Sequence, residues 1–143
     1  MKLEKNQLKE EHLLVKKYLE DHSLVESNII SFNNFIDHRM QEIVDELNDS
    51  LPIEDIEIKL GKIHVDRPQI IEADGSSHFV TPTEARIRGL TYSAPIHVQI
   101  TIKQAGQLES HTIEIGQIPV IVKSNVCNLS NLSKEQLIEE YID

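Results

Sequence analysis

The chain has 143 residues, enough for one domain with its own hydrophobic core, and its 39% hydrophobic content excludes a disordered composition. Its net charge of −10 argues against a free-standing nucleic-acid-binding protein. Residues 1–55 carry six basic and thirteen acidic groups, whereas residues 56–132 carry seven of each, so the acid lies toward the ends and the middle is balanced.

The first 50 residues have the pattern of two helices. Residues 5–20 form a charged helix, and Ser23 with Glu26 has the spacing of a capping box before the next helix. That second helix is expected over residues 24–50 and stops before Pro52. We expect its apolar seam to face the core, and a partner-binding helix is the alternative. The seam consists of Val25, Ile29, Phe32, Ile36, Met40, Ile43 and Leu47.

From residue 56 the apolar period changes from 3.6 to 2, which predicts strands. Residues 56–65 alternate, with Gly61 as the expected bulge, and Asp74-Gly75 predicts a hairpin between short strands. A long strand over residues 91–103 places Pro95 at an edge or bulge. Residues 108–115 then pair back, and residues 118–122 form a further short strand.

Two more helix starts complete the fold. Thr81, Pro82 and Glu84 have the residue types of an N-cap and first turn, and the short helix ends at Gly89. Ser133 and Gln136 cap a last helix that reaches residue 143. The predicted class is therefore α+β: N-terminal helices packed on a mostly antiparallel sheet, with a short inserted helix and a C-terminal helix. We expect residues 1–22 to form a charged helix whose order the sequence leaves open, and residues 23–143 to form the module.

The residues carry no recognisable catalytic chemistry. The seven histidines lack metal-ligand spacing along the chain, and the common nucleotide-binding and hydrolase motifs are absent. We therefore predict no catalytic, cofactor-binding or metal-ligating residues. Cys127 has one basic neighbour, Lys123, which favours a buried, inert thiol over a nucleophile. With no internal disulfide, no spanning run and no signal peptide in the sequence, we expect a cytoplasmic protein without membrane contact.

Several segments together resemble one family. They are residues 24–36, 60–68, 81–95 and 115–124, with Cys127 a few residues after the last strand. These segments are similar to the N-terminal, protrusion part of the second-largest subunit of multisubunit DNA-directed RNA polymerase. The similarity is strongest to the archaeal form, either whole or as the N-terminal half of a split subunit. The resemblance covers residues 20–143 in the right order.

The resemblance implies a non-catalytic structural module for transcription, part of the protrusion beside the DNA cleft. The implied partners are the other polymerase subunits and the rest of the second-largest subunit, with DNA contacted only in the assembled enzyme. The parent enzyme is a nucleotidyltransferase whose Mg²⁺ is expected elsewhere, so no cofactor is expected in this segment. Family members continue past the last helix, so we expect a truncated chain, a split-gene product or a partial chain.

The same resemblance suggests which basic residues lie near nucleic acid. Arg86, Arg88 and Lys123 lie in the charge-balanced middle, and a guanidinium can bind phosphate through two hydrogen bonds. The alternative is that Arg86 or Arg88 pairs with Glu84 or a carboxylate of the sheet. The alternative function is a free-standing acidic protein-interaction module that docks through its N-terminal helices, whereas no residues support a small hydrolase.

Overall fold

The computed structural model describes residues 2–53, 56–133 and 135–136. Its helices are α1 (Lys2–Asp21), α2 (Glu26–Asn34), α3 (Met40–Asn48) and α4 (Pro82–Ile87). A π turn over Phe35–Arg39 joins α2 to α3, and a 3₁₀ turn covers Asn128–Asn131. Within the described residues, every helix is too short or too polar to span a membrane.

The described strands form two antiparallel sheets. The larger has the order β1-β2-β5-β6, from β1 (Pro52–Ile53), β2 (Ile56–Val65), β5 (Ser93–Gln104) and β6 (Gln107–Pro119). The smaller is a hairpin of β3 (Gln69–Ile71) and β4 (Ser77–Phe79). Helices beside an antiparallel sheet confirm the predicted α+β class.

Several local predictions are confirmed. The β2–β5 register shifts between Leu60 and Ile63, which is the bulge expected at Gly61. The Thr81 hydroxyl accepts a hydrogen bond from the Glu84 amide (3.2 Å), and Gly89 ends α4 with a φ of +64°.

The cap of the last predicted helix is present as well. The Gln136 amide donates to Ser133 Oγ (3.3 Å), and the Ser133 amide donates to Gln136 Oε1 (3.0 Å). These two reciprocal bonds are a capping box. The rest of this predicted helix, to residue 143, lies outside the described residues.

Two polar side chains attach α3 to the bulge of β2. Asn48 donates to the Leu60 carbonyl (2.7 Å) and accepts from the Leu60 amide (2.8 Å). Gln41 bonds in the same way to the Gly61 carbonyl (3.2 Å) and the Ile63 amide (3.0 Å). Each amide thus replaces ladder bonds that the bulge disrupts. The apolar residues beside these bonds are Ile36, Met40 and Val44, all buried.

A second apolar cluster lies at the other end of the sheet. It contains Ala94, Val120, Cys127 and Leu129, with Tyr92 packed against it. Cys127 is fully buried, as predicted.

Two predictions about the N-terminal helices are wrong. Ser23 Oγ accepts from the Val25 amide (3.4 Å), and the start of α2 has no side-chain cap, so Ser23 and Glu26 form no capping box. Of the predicted seam, Val25, Ile43 (40%) and Leu47 are exposed, and Val44 takes the buried place expected of Ile43. The reason is the register of α3, because the amides bonded to β2 turn its 40–44–48 row toward the sheet.

The predicted strand over residues 118–122 is also wrong. β6 continues through Gly116 and ends at Pro119. Gly116 pairs with Ile96 and Glu114 pairs with His97, so Ile115 is the extra residue of a bulge rather than part of a break. Pro95 lies beside this bulge, as predicted, and beyond the last β2–β5 pair.

Candidate functional site

The short helix α4 presents two of the three predicted basic residues. Its N-cap and Gly89 fix its two ends, and buried Ala85 fixes its inner face. Arg86 and Arg88 are both exposed near its C-terminus. Lys123 lies in a different element, the turn after β6, where it is exposed and has a φ of +72°.

Arg88 is held by two carboxylates. Its Nη1 lies 2.7 Å from Glu72 Oε1 and 3.1 Å from Glu84 Oε1, and its Nη2 lies 3.2 Å from Glu72 Oε2. Hydrogen bonding from Arg88 lowers the pKa of the Glu72 carboxyl. The pKa of Glu84 is lowered chiefly by a hydrogen bond from His78, with Arg88 adding to it. These contacts favour the structural ion-pair interpretation for Arg88.

Arg86 has a different environment. It makes no ion pair with any part of the chain that the structure describes. Its charge is therefore not compensated by a neighbouring carboxylate, whereas the charge of Arg88 is. Of the two arginines of α4, Arg86 is the one placed to meet an external anion.

Arg67 is an arginine that no sequence pattern singled out. Its Nη1 donates to the Cys127 carbonyl (2.8 Å) and to Ser130 Oγ (3.0 Å), and its Nη2 donates to the Asn125 carbonyl (3.4 Å). These bonds fix residues 125–130 against the end of β2. Because the accepting carbonyls lie about 60 residues away along the chain, no local pattern marks the role.

Asn128 and Tyr92 complete this polar network. The Asn128 side chain donates to the Pro68 carbonyl (2.8 Å) and the Val80 carbonyl (2.6 Å). The backbone amide of Asn128 donates to the Tyr92 hydroxyl (3.0 Å). The same hydroxyl lies 3.3 Å from Cys127 Sγ. Burial, reinforced by Cys127, raises the pKa of Tyr92, so the phenol stays protonated. The network therefore stabilises the fold by joining segments that are distant in sequence.

His64 and Asp66, at the end of β2, meet His97 of β5 on the sheet. Asp66 Oδ1 lies 3.3 Å from His64 Nε2, and Asp66 Oδ2 lies 2.8 Å from His97 Nδ1. Within the described residues this is the group of histidine and carboxylate ligands able to share a metal ion. Sequence spacing missed it because His64 and His97 belong to different strands, which only the β2–β5 register brings together.

Comparison with known families gives one match over most of the chain. A family model described as RNA polymerase beta subunit matches residues 23–141. The match begins just before α2 and includes α4, both sheets and the Arg67 network. It leaves out α1.

Curated relatives extend the likeness to individual proteins. The DNA-directed RNA polymerase subunit Rpo2N of Methanocaldococcus jannaschii is 40% identical over 133 residues, which cover 88% of this chain and 27% of that protein. Rpo2N of Halobacterium salinarum is 34% identical over 139 residues, covering 88% and 27%. Subunit Rpo2 of Saccharolobus solfataricus is 32% identical over 129 residues, covering 88% and 11%. The chain thus spans about a quarter or less of the length of these relatives.

Proposed function

We propose a function from the premise that this chain belongs to the RNA polymerase beta subunit family. The proposed function is that of a non-catalytic structural module of a DNA-directed RNA polymerase, which forms part of the protrusion beside the DNA cleft. The family match is the observation that carries the proposal, because it follows nearly the whole module from α2 onward rather than one motif.

The use of polar side chains inside the module supports a structural role. Arg67 and Asn128 donate to backbone carbonyls of distant segments, and Gln41 and Asn48 replace ladder bonds of β2. The bonds of these four side chains stabilise the fold. We therefore propose that the catalytic residues and the Mg²⁺ of the parent enzyme belong to other parts of the polymerase.

The proposed partners are the other polymerase subunits and the rest of the second-largest subunit, in the cytoplasm. DNA is proposed to be contacted only within the assembled enzyme. In the described sheet, β6 pairs on one side only, and its exposed apolar residues suit a protein partner. These residues are Leu108, Ile113 and Ile115.

Reconstitution tests the proposal directly. An archaeal RNA polymerase is assembled from recombinant subunits, with this chain replacing the matching N-terminal segment of Rpo2N, and its incorporation and promoter-directed transcription are measured. We expect the chain to co-elute with the enzyme. Val44→Asp places a charge in the α3–β2 core and should abolish incorporation, whereas Asp45→Asn on the exposed side should not. A chain that stays free while the native segment assembles would refute the proposal.

One observation favours the alternative of an acidic docking module. α1 exposes a run of apolar side chains among its charged residues, namely Leu13, Leu14, Val15, Tyr18 and Leu19. Under this alternative the chain remains outside the polymerase, and Leu14→Asp abolishes its binding to a partner protein. Incorporation of both the wild type and Leu14→Asp into the reconstituted enzyme would exclude the alternative.

A further inference from the structure

We propose that His64, Asp66 and His97 form a binding site for a divalent transition-metal cation of the Zn²⁺ type. The proposal rests on the geometry of these three side chains and does not depend on the polymerase assignment.

Strand register brings the two imidazoles together. His64 of β2 lies directly opposite His97 of β5, and their rings stack with centroids 5.5 Å apart. Opposed residues of antiparallel strands point to the same face of the sheet. The next pair along, Val65 and Ile96, points to the other face, so the histidines lie on the polar side.

The carboxylate of Asp66 contacts both rings, one oxygen to each. Its backbone amide donates to the Pro95 carbonyl (3.0 Å), which fixes the residue at the end of β2. One donor atom from each of the three side chains lies within 4.8 Å of the other two. Two ligands of one zinc ion, each about 2.0–2.2 Å from the metal, are at most about 4.4 Å apart. Small side-chain rotations therefore bring all three into coordination distance.

His97 Nδ1 is the strongest sign of a missing partner. It is shielded from solvent and forms no aligned hydrogen bond, although it lies 2.8 Å from a carboxylate oxygen of Asp66. A polar nitrogen that is shielded from solvent and has no aligned partner is unfavourable. A cation shared with the carboxylate would satisfy its lone pair.

The donor set determines the class of cation. Two imidazole nitrogens and one carboxylate suit Zn²⁺, whereas Mg²⁺ and Ca²⁺ prefer oxygen ligands alone. His64 and Asp66 are partly exposed, so an ion can enter from solvent.

Equilibrium dialysis of the full chain against ZnCl₂, with bound metal counted by elemental analysis, tests the site. We expect one Zn²⁺ per chain, and a Co²⁺-loaded sample with the visible absorption of a low-coordinate histidine site. His64→Gln and His97→Gln should each weaken binding by at least about tenfold, since even outer-shell changes have effects of that size. His111→Gln is the matched control, because His111 also lies beside a carboxylate, Glu109 (3.4 Å), but has no third ligand among the described residues.

Further variants keep the result interpretable. Asp66→Asn preserves size and should weaken zinc binding as well, with an unchanged circular dichroism spectrum. If His97→Gln fails to fold, the more exposed His64 carries the test. Absence of stoichiometric zinc, or equal binding by the wild type and His64→Gln, would overturn the proposal, as would equal losses in His64→Gln and His111→Gln.

Discussion

Arg88 connects α4 to the end of the β3–β4 hairpin through carboxylates from both. Glu84 belongs to α4, and Glu72 follows β3 directly. A guanidinium that bonds two carboxylates must give up these bonds before it can bind phosphate. Arg86 has no such competitor among the described residues. At the scale of single residues, Arg88 therefore stabilises the fold, and Arg86 is the better candidate for a contact with DNA.

This role of Arg88 predicts a stability effect that disappears in acid. Hydrogen bonding and charge lower the pKa of Glu72 and Glu84 from the ordinary 4.5. A lowered pKa stabilises the fold above the unfolded value, and the contribution is lost as the pH falls through the folded value. Arg88→Ala should therefore lower the Tm at about pH 7, and its Tm should change less than that of the wild type as the pH falls below about 4.5.

Thermal melts followed by circular dichroism between about pH 7 and pH 3 measure this difference. Arg86→Ala is the control, because it removes the same charge from the same helix without breaking an ion pair. Its acid sensitivity should equal that of the wild type. Identical acid sensitivity of Arg88→Ala and the wild type would contradict the stabilising role.

At the scale of elements, the π turn and α3 decide which apolar residues enter the core. The seam predicts burial at Ile36, Met40 and Ile43, but the buried row is Ile36, Met40 and Val44. Apolar spacing was sufficient to predict the helix and the burial of Ile36 and Met40, although Val25 at the start of the seam is 49% exposed. It could not predict the later rotation, because that depends on amide bonds to a bulge in β2.

Substitutions on the two sides of this helix should differ in their effect on stability. Ile36 is 7% exposed and Ile43 is 40% exposed. Ile36→Ala should lower the free energy of unfolding by about 2–5 kcal/mol, because truncation of a buried aliphatic chain leaves a cavity. Ile43→Ala should have a much smaller effect, and so should Asp45→Ala, which removes only an exposed hydrogen bond from Gln41 Nε2 (2.9 Å). Urea denaturation measures all three, and equal effects of Ile36→Ala and Ile43→Ala would contradict the described packing.

Asn48 should matter for a different reason. Its side chain satisfies both the amide and the carbonyl of Leu60 at the bulge. Asn48→Ala leaves these two partly buried backbone groups without partners, so it should lower the free energy of unfolding by about 1–3 kcal/mol. Asp49→Ala, one residue further along, is the matched control. An unchanged urea midpoint for Asn48→Ala would show that water replaces the amide at no net cost.

For the candidate sites too, sequence patterns predicted the local elements but not the long-range contacts between them. Sequence patterns predicted β2 and β5 as strands and the caps of α4, so His64 and His97 were assigned to the right strands and Arg88 to the end of the right helix. The patterns could not predict that β2 pairs with β5 across the inserted hairpin and helix, which is a long-range choice. The meeting of His64 with His97 follows from that choice, and the meeting of Arg67 with residues 125–130 requires the β5–β6 pairing as well.

At the scale of the whole molecule, the edge of the sheet predicts self-association. β6 pairs only with β5 in the described sheet, and Leu108 (69%) and Ile115 (55%) are exposed along it. Long apolar edges recruit further strands. We expect dimers or larger species of the purified chain in light scattering. Ile115→Lys should shift them toward monomer, whereas Ala73→Lys in the β3–β4 turn should not. A monomeric wild type with a cooperative melt would contradict this prediction.

The charge of the whole molecule opposes DNA binding by the free chain. The net charge is −10, and one of the basic groups in the balanced middle, Arg88, is already paired. Non-specific affinity for DNA comes mainly from phosphate neutralisation and counterion release, which such a chain cannot supply. We therefore expect no binding at ~150 mM salt. Within an assembled polymerase, tethering raises the effective concentration, so one or two basic groups can still contribute a contact.

A salt titration of promoter complexes distinguishes the three basic candidates. If Arg86 contacts a phosphate, Arg86→Ala in the assembled enzyme should shorten the lifetime of the complex modestly and reduce the salt slope by about 0.9, the value for one phosphate. The Tm of the Arg86→Ala chain should equal that of the wild type. Lys123→Ala should give a smaller effect on lifetime, because a lysine binds phosphate as a point charge. Arg88→Ala should instead lower the Tm and leave the salt slope unchanged. A fall in Tm with an unaltered salt slope for Arg86→Ala would exclude Arg86 from the DNA contact.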